Sequence, residues 1–428
     1  MNKYWSKTIR RYYTMKTDTI LVGIAMTLLL TLPAAASDYT LDVFGNANED
    51  DTINMQDVTY TELIILEYRD KTELADAKYD GKINMQDVTQ IELVILGKEK
   101  EMTVIDGADM IVTVNKPIER IITPNGDCVP LMRALDAADK IVGVSKYTIQ
   151  DTLFYPEFGD YPSVGSVWSP DYEAMLGCNP DTVILYASFS ASKCKAIEDT
   201  LTDANKGIAC IRIDGYKPSS MVEDAVLLGY LLGKRDEAEV WIDFYEGFLD
   251  QIYDGVEDIS VDSRTKVYIE CWRAYHTAAG NAGWHEKIEL AGGYNIFRDL
   301  AIDYPDVSEE DVIDRNPAAI IRAAKTEGGY DSGDITELSD LADEIMDRPE
   351  LTHVSAVENE RIIVVNNDVL GGTAHFVGMG YIAKWLYPDS FIDLDPEAAH
   401  RQYLTEFQGL DERLVDDGVF VYPQFEES

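Results

Sequence analysis

The pattern of apolar positions is most regular in residues 234–256. Six apolar residues recur there at steps of three and four, which places them on one face of a helix: Trp241, Phe244, Tyr245, Phe248, Ile252 and Val256. Gly255 lies near the end, where glycine commonly stops a helix. At 1.5 Å per residue the helix would span roughly 30 Å. A helix of this length predicts either a connection between two domains or an ordinary amphipathic helix within one large domain.

On both sides of this helix, short apolar runs typical of strands alternate with amphipathic runs typical of helices. Predicted strands fall at residues 103–105, 110–114, 141–144, 182–185, 208–213, 266–270, 319–321 and 362–365, and residues 116–122 are predicted to be a turn that leads into a buried strand. Predicted helices fall at residues 129–135, 172–176, 193–203, 285–291, 335–346, 377–386 and 397–407. This alternation predicts mainly parallel sheets covered by helices, and therefore an α/β fold.

The first residues have the layout of a secretory signal. Five basic residues precede an apolar run at residues 20–32, and three alanines, Ala34 to Ala36, follow as a small-residue cleavage site. Residues 1–37 are therefore predicted to be a signal peptide or an uncleaved N-terminal anchor. We expect a secreted or cell-surface, extracytoplasmic protein.

An internal repeat follows. The sequence INMQDVT at Ile53 recurs at Ile83, and oxygen-bearing side chains precede each copy at alternate positions. Hard oxygen ligands at positions 1, 3, 5, 9 and 12 of a tight loop can wrap a calcium ion. The candidate ligands are Asn46, Asn48, Asp50, Asn54 and Asp57 in the first loop, and Asp76, Asp80, Asn84 and Asp87 in the second. Lys78 replaces the third ligand of the second loop. The alternative is a pair of polar loops repeated for structural reasons without metal.

Two calcium loops, each followed by an apolar helix, resemble a type I dockerin module over roughly residues 42–97. The resemblance implies bound Ca²⁺ and a cohesin-type partner. It departs from the dockerin pattern at Lys78 and at Asp51, where such a loop often turns on glycine.

Charge and cysteine content narrow the class of protein. The formal net charge of −42 argues against binding to nucleic acid or to anionic lipid. The five cysteines include no CxxC pair, which excludes zinc-ribbon and thioredoxin-like motifs. Buried free thiols are expected, with one disulfide in the first half of the chain as the alternative.

Several short motifs together resemble class III substrate-binding proteins of ABC importers, the periplasmic binding protein family, over roughly residues 102–407. The motifs are PIERII at Pro117, LDAADKIVGV at Leu135, DYEAM at Asp171, NPDTVI at Asn179, ELAGGYNI at Glu289, VSEEDV at Val307 and NPAAII at Asn316. The resemblance implies two Rossmann-like α/β lobes joined by one long helix, with the ligand between the lobes. It also implies ligands such as ferric siderophores, haem, corrinoids, and molybdate or tungstate.

The predicted organisation has five parts. Residues 1–37 form the signal or anchor, 38–100 the small all-α dockerin-like module, 101–233 the N-terminal lobe, 234–258 the interlobe helix and 259–428 the C-terminal lobe.

Ligands of open α/β sheets bind beyond the carboxyl ends of the strands. The candidates near those ends are Asn125, Tyr147, Trp168, Tyr186, Trp272, Arg273, Tyr275, His276, Arg322, His375 and Phe376. Aromatic faces suit a bulky organic ligand, and guanidinium groups suit its anionic oxygens. The histidines could ligate a metal. The alternatives are core packing for each aromatic residue and simple hydrogen bonding for each histidine.

Catalytic motifs of the HExxH and GxSxG types are absent from the sequence. Gly378 to Ala383 resembles a dinucleotide fingerprint but falls inside a predicted helix. We therefore expect a binding protein and not an enzyme. The expected ligand is a metal complex of the ferric siderophore type, delivered to an ABC importer. The alternatives are a corrinoid, haem or molybdate/tungstate binder, or a dockerin-displayed surface protein without a transport role.

The family resemblance also implies contact with the transporter permease through one acidic residue on each lobe. Matched by motif, these residues are Glu173 and Glu310. Ser169-Pro170 and Ser308 are the predicted helix starts. Because a carboxylate in a first turn is also favoured by the helix dipole, simple capping is the alternative.

Overall fold

The computed structural model of this chain describes residues 39–425. Two compact units divide between Val104 and Ile105. The predicted signal peptide or anchor at residues 1–37 lies outside the described residues. Within residues 39–425, every helix is too short or too polar to span a bilayer.

The first unit contains two copies of one loop–helix motif. Its helices are Met55–Ile65 and Met85–Ile95, and the strand Glu101–Ile105 follows. Each helix begins with the same capping box, in which an asparagine caps the helix and an aspartate three residues later bonds back to it. Ala47, Ile64 and Ala75 form a small buried cluster against Tyr60 and Ile83. The predicted pair of loop–helix units is therefore present.

The N-terminal lobe of the second unit is built on a four-stranded parallel sheet. In spatial order its strands are Ile141–Val144, Ile121–Thr123, Thr182–Leu185 and Ala209–Arg212. The other strands of this region are Ile111–Asn115 and the short hairpin of Gly165–Ser166 with Ser169–Pro170. The helices are Cys128–Ala134, Lys146–Gln150, Tyr172–Gly177, Ala191–Ala204 and Met221–Leu232, with single turns at Ala138–Lys140 and Pro156–Phe158.

The C-terminal lobe is built on a five-stranded sheet. In spatial order its strands are Tyr294–Asn295, Lys266–Cys271, Ala319–Ala324, Ile362–Asn366 and Val421–Tyr422, of which the last pairs antiparallel. The helices are Gly283–Leu290, Glu309–Arg315, Thr336–Met346, Ser355–Glu358, Asn367–Leu370, His375–Leu386, Pro396–Gln402 and Arg413–Asp417. Single turns lie at Val261–Ser263 and Pro349–Leu351, and a π-helical turn at Tyr403–Phe407.

The predicted interlobe helix is confirmed as Arg235–Val256. Its buried face carries Trp241, Tyr245, Phe248 and Ile252, at the predicted spacing. Trp241 packs edge-on against Phe376 and Phe407 of the C-terminal lobe, with ring centroids 6.1 and 5.1 Å away. One face of the helix is therefore part of the hydrophobic core and packs against the C-terminal lobe.

Three expectations about these elements differ from the structure. Gly255 does not stop the helix; it lies inside the last turn, against the ring of Phe391. The helix Met221–Leu232 was not predicted. The predicted helix at residues 397–407 is interrupted by the π turn that begins at Tyr403.

All five cysteines are buried free thiols, as expected, and the alternative of a disulfide is wrong.

Candidate functional site

Aromatic side chains collect at the carboxyl ends of the N-terminal lobe's strands. Tyr186 and Phe189 follow the strand Thr182–Leu185, and Tyr216 follows Ala209–Arg212. The ring of Trp168 lies 5.6 Å from that of Phe189 and 6.4 Å from that of Tyr147. The structure thus brings the predicted Tyr147, Trp168 and Tyr186 together on one side of the lobe, where Tyr147 and Trp168 remain about half exposed.

A second group of rings lies at the carboxyl end of the C-terminal lobe's strand Lys266–Cys271. The ring of Trp272 lies 5.2 Å from Tyr304, 5.5 Å from His276 and 5.9 Å from Trp284. Trp272 has a positive φ of 61°, a conformation that a bulky residue adopts at an energetic cost. The chain holds this indole where it meets the other three rings.

The two groups meet between the lobes. The ring of Phe189 lies 6.2 Å from that of Tyr304, and Phe189 also contacts Tyr216 at 6.3 Å. We call Phe189, Tyr216, Trp272, Trp284 and Tyr304 the interlobe aromatic cluster. Two of its five rings come from the N-terminal lobe and three from the C-terminal lobe, so the cluster forms only where the lobes face each other.

The side chain of Lys287 packs against the interlobe aromatic cluster. Its ammonium lies over the rings of Tyr216 and Trp284, 5.8 and 5.4 Å from their centroids. Nζ donates to the carbonyl of Leu370 at 2.7 Å, and the side chain is fully buried. Burial lowers the pKa of Lys287 to about 7, against an opposing attraction from Asp127. A lysine of the C-terminal lobe therefore sits against an aromatic ring of the N-terminal lobe.

Polar groups of the N-terminal lobe face the same interface. Asp127 accepts a hydrogen bond from the hydroxyl of Tyr186 at 2.9 Å, and burial raises the pKa of this carboxyl. Thr373 of the C-terminal lobe donates to the carbonyls of Asp127 and Gly215, at 3.1 and 3.3 Å. The lobes are thus in direct contact here.

Four of the predicted ligand residues bond or pack elsewhere. Asn125 is buried and donates to the carbonyl of Ile213 at 2.7 Å. His375 is buried between the hydroxyl of Tyr245 and the carbonyl of Gly372, and burial holds its pKa well below the ordinary range. Phe376 packs against the interlobe helix. Arg322 was placed after its strand but lies inside it, because the strand continues to Ala324.

The remaining predicted residues lie around Trp272. His276 bonds through Nδ1 to Asp306 at 2.8 Å, and the exposed Arg273 forms an ion pair with the same carboxylate. Tyr275 turns away from the interlobe aromatic cluster, with its hydroxyl on Glu350 and the guanidinium of Arg348 over its ring. The role of these residues in ligand binding stays a prediction.

Four members of the interlobe aromatic cluster and Lys287 were not among the predicted ligand residues. Phe189 and Tyr216 carried a usable signal, because both closely follow predicted strands. Trp284, Lys287 and Tyr304 carried none: two lie on an amphipathic helix, where a lysine normally faces solvent, and one lies in a loop.

The two loops of the first unit share one arrangement of hydrogen bonds. Asp57 accepts from the backbone N–H of Asn48 and Asn54 at 3.2 and 2.8 Å, and burial raises its pKa to about 6. Asp87 accepts from Lys78 and Asn84 at 3.0 and 2.8 Å, and burial raises its pKa as well. The last predicted ligand of each loop is therefore held at the loop centre.

Other predicted calcium ligands also bond within their own loops. Asn46 donates to the carbonyls of Leu41 and Asp50, at 2.8 and 2.6 Å, while its Oδ1 is buried without a hydrogen-bond partner. Asp76 accepts from the backbone N–H of Asp80 and Gly81. Within residues 39–425, three or more histidine, cysteine, aspartate or glutamate side chains nowhere converge as a metal-binding group. Calcium binding stays a prediction, since both loops rely on asparagine as well.

The predicted docking residues are exposed in the first turns of two helices. Glu173 lies in Tyr172–Gly177 and Glu310 in Glu309–Arg315. Ser308 caps the second helix, as predicted. The prediction for the first helix is wrong, because Ser169-Pro170 forms a strand and Asp171 is the cap, its side chain accepting from Ala174 at 2.9 Å.

Comparisons with known proteins agree with this architecture. A cobalamin-binding protein of Halobacterium salinarum is 26% identical over 224 residues, which cover 51% of this chain and 58% of that protein. The molybdate-binding protein MolA of Haemophilus influenzae is 22% identical over 341 residues, which cover 71% of this chain and 90% of that protein. The chain thus spans less than two thirds of the length of the cobalamin-binding protein.

A solved structure, the TroA-like periplasmic binding protein FepB of Veillonella parvula, matches with a TM-score of 0.61 and 22% identity, covering 74% of this chain and 98% of that one. At this identity the match supports the fold alone. The family model for periplasmic binding proteins matches residues 121–369, and this family agrees with the predicted extracytoplasmic setting. The chain belongs to the periplasmic binding protein family.

Proposed function

We propose that the chain captures a bulky organic metal complex between its lobes and delivers it to an ABC importer. The interlobe aromatic cluster carries this proposal, because five rings from both lobes surround the place where the lobes meet. Aromatic faces bind large apolar ligand surfaces, and rings from both lobes let one ligand hold the lobes together.

The ligand classes of the family differ in how well they suit this surface. Ferric siderophore complexes, which we expect first, share a large organic surface with corrinoids and haem. A bare oxyanion such as molybdate is held mainly by charged and N–H donors. The relatives named for cobalamin and for molybdate represent one of each kind. The ring-rich interface favours the organic complexes.

The test begins with the protein purified anaerobically, its visible spectrum and its metal content. Binding is then measured for a ferric tricatecholate, a ferric trihydroxamate, haem, cyanocobalamin and molybdate. We expect tight binding of one organic complex, weakened at least about tenfold by Phe189→Ala with Trp272→Ala, since each lobe then loses a ring. Trp385→Ala is the control, because that indole lies under Arg361 outside the cluster. Binding of molybdate alone, or equal affinity in the double variant, would contradict the proposal.

We also propose that the first unit is a calcium-dependent docking module. Two observations support calcium binding. In both loops the last predicted ligand, Asp57 or Asp87, accepts hydrogen bonds from two backbone N–H groups. At the first ligand position, Oδ1 of Asn46 is buried without a hydrogen-bond partner. Burying an amide oxygen without a partner costs free energy. Calcium takes amide oxygens as ligands, so a bound ion would remove this cost.

In the full chain, calcium should raise the melting temperature of the transition in which the first unit unfolds. The reason is that an ion that binds only the folded state stabilises that state. The gain should shrink as pH falls below about 6, where Asp57 becomes protonated. Asp50→Ala with Asp57→Asn should abolish the gain, whereas the exposed Asp70→Asn should not. A melting curve indifferent to calcium and chelator would exclude the site.

A repeated apolar surface supports a cohesin-type partner. Met55 and Met85 are 58% and 57% exposed, and Leu66 and Leu96 are 61% and 63% exposed, so both helices show the same apolar positions to solvent. Exposed apolar patches commonly mark protein interfaces. We expect a type I cohesin domain to bind in the presence of calcium, and Leu66→Arg with Leu96→Arg to prevent it. No binding in calcium would leave the partner class wrong.

A further inference from the structure

Lys287 is a buried cation whose hydrogen-bonding capacity is only partly used. An ammonium has three N–H donors. Within residues 39–425, the carbonyl of Leu370 is the acceptor the structure provides for them, and no carboxylate lies within ion-pair distance. The rings of Tyr216 and Trp284 flank the amine. Burying a charge with so few partners costs free energy. A lysine is therefore a poor choice for a purely structural position here.

The position of this amine is set by close packing across the lobes. Gly283, at the start of the same helix, touches the ring of Tyr216: an added Cβ would lie 2.8 Å from Cε2 of that ring. The helix Gly283–Leu290 therefore approaches the N-terminal lobe closely enough to place Nζ at the interface. Moving the lobes apart would expose Nζ and the surrounding rings together.

We propose that the ammonium of Lys287 binds an anionic oxygen of the captured ligand and selects complexes that carry an acidic edge beside a flat or bulky organic body. This inference rests on the proposed capture of an organic complex and names the residue that reads its charge. The two donors left by Leu370 bond the ligand oxygen, and the neighbouring rings pack its organic surface. A charged oxygen in this dry interface forms a stronger bond than it would in water.

Matched pairs of probes separate charge from shape. Haem and haem dimethyl ester differ in two carboxylates, and a ferric tricatecholate carries the negative charge that a ferric trihydroxamate lacks. Each is titrated against the full chain, Lys287→Met and Lys384→Met. Lys384 is the matched control, because its Nζ also donates to a backbone carbonyl, that of Leu394 at 2.7 Å, away from the cluster.

We expect Lys287→Met to weaken the anionic member of a pair by about tenfold or more, with little effect on its uncharged partner, and Lys384→Met to change neither. A pH series adds a second readout. The preference of the native chain for the anionic probe should fall as rising pH deprotonates the amine, and should be flat in Lys287→Met. The titratable groups around this amine are Asp127 on the opposite lobe, Glu286 on its own helix, Cys271 on the adjacent strand and the buried His375.

Each other outcome overturns the inference in a distinct way. Equal loss of both members of a pair means that Lys287 only shapes the interface, while the proposed capture stands. No loss of either means that the ligand binds elsewhere. If the native chain binds none of the four probes, the inference fails, and the proposed capture fails with it unless cyanocobalamin binds. Lys287→Gln serves as a second variant; if both variants unfold, the amine is structural.

Discussion

Glu270 shows how a buried charge is balanced in the C-terminal lobe. Its fully buried carboxylate accepts from both terminal nitrogens of Arg348, at 2.7 and 2.9 Å, and from Arg322 at 3.2 Å. The predicted ligand residue Arg322 is therefore already engaged by a protein carboxylate. Glu270 also accepts from the backbone N–H of Tyr275 at 2.9 Å, so this network supports the loop that begins at Trp272.

Removing that charge should be costly. Glu270→Gln removes the buried counter-charge of Arg322 and Arg348 and leaves Arg348 only the exposed Glu344, so we expect the free energy of unfolding to fall by about 3–5 kcal/mol in urea denaturation. Glu344→Gln is the control, since Glu344 also bonds Arg348 but its side chain is 54% exposed; we expect a loss below about 1 kcal/mol. Equal losses in the two variants would contradict the role of burial.

Asp368 makes stability depend on pH. This carboxyl accepts from the backbone N–H of Tyr330 at 3.1 Å, and burial, with Asp151 and Asp331 nearby, raises its pKa to about 7. The folded state then holds a proton that the unfolded chain releases near pH 4. The contribution of Asp368 to stability therefore falls as pH rises from about 4 to 7 and stays low above that.

Asp368→Asn should remove this penalty. We expect the variant and the native chain to be similar in stability near pH 4, and the variant to be more stable at pH 8. The gain is at most about 4 kcal/mol, because one pKa unit corresponds to about 1.4 kcal/mol. The exposed Asp340→Asn should leave the pH profile unchanged. A difference between Asp368→Asn and the native chain that is constant over pH would refute this assignment.

Two glycines of the interlobe helix provide a test of packing at the scale of an element. Gly255 touches the ring of Phe391, where an added Cβ would lie 2.2 Å from Cε1, whereas nothing lies within 4 Å of a Cβ added to Gly247. Gly255→Ala should destabilise by about 1–3 kcal/mol through overpacking. Gly247→Ala should stabilise by about 0.5–1 kcal/mol through helix propensity. Effects of the same sign in thermal melts of the two variants would contradict this packing.

The elements that sequence predicted best are those with a clear period. The interlobe helix shows one apolar face, and the strand Thr182–Leu185 is a short, continuous apolar run, so both were found within a residue. The helix Met221–Leu232 was missed because it is buried on most sides, which removes the amphipathic period. The strand Val421–Tyr422 is too short to show any pattern.

The candidate site divides along the same physical line. Tyr147, Trp168, Tyr186 and Trp272 were identified because strand ends can be located from sequence, and side chains near those ends face the ligand side of an α/β sheet. Lys287 and Tyr304 were not, since their place depends on how closely a helix and a loop of one lobe approach the other. That approach is a property of tertiary packing, which no local pattern reveals.

The whole molecule must also meet a transporter if it delivers its ligand. The chain carries a net charge of −42, so a permease surface of basic residues would attract much of it without specificity. A specific complex needs particular carboxylates in fixed places. We propose Glu173 and Glu310 for this role, because each is exposed in the first turn of a helix whose start is fixed by a side-chain cap. One lies on each lobe, so a permease that contacts both could sense the separation of the lobes.

Reversing both charges, Glu173→Arg with Glu310→Arg, should weaken association with the cognate importer in reconstituted vesicles while ligand affinity stays unchanged. Rim charges act mainly on the encounter rate, so the defect should be largest at low salt and shrink as salt increases. Glu119→Arg with Glu360→Arg is the matched control: it makes the same change in net charge on exposed residues that precede the strands Ile121–Thr123 and Ile362–Asn366, at the amino ends of the two sheets. Equal defects in the two double variants would mean that only net charge matters, and normal association of the first would refute the docking assignment. Glu309 and Asp311 flank Glu310, and Asp311 is committed to the capping box with Ser308, which leaves Glu309 as the neighbour able to substitute in a single variant. The double variant is therefore the decisive one.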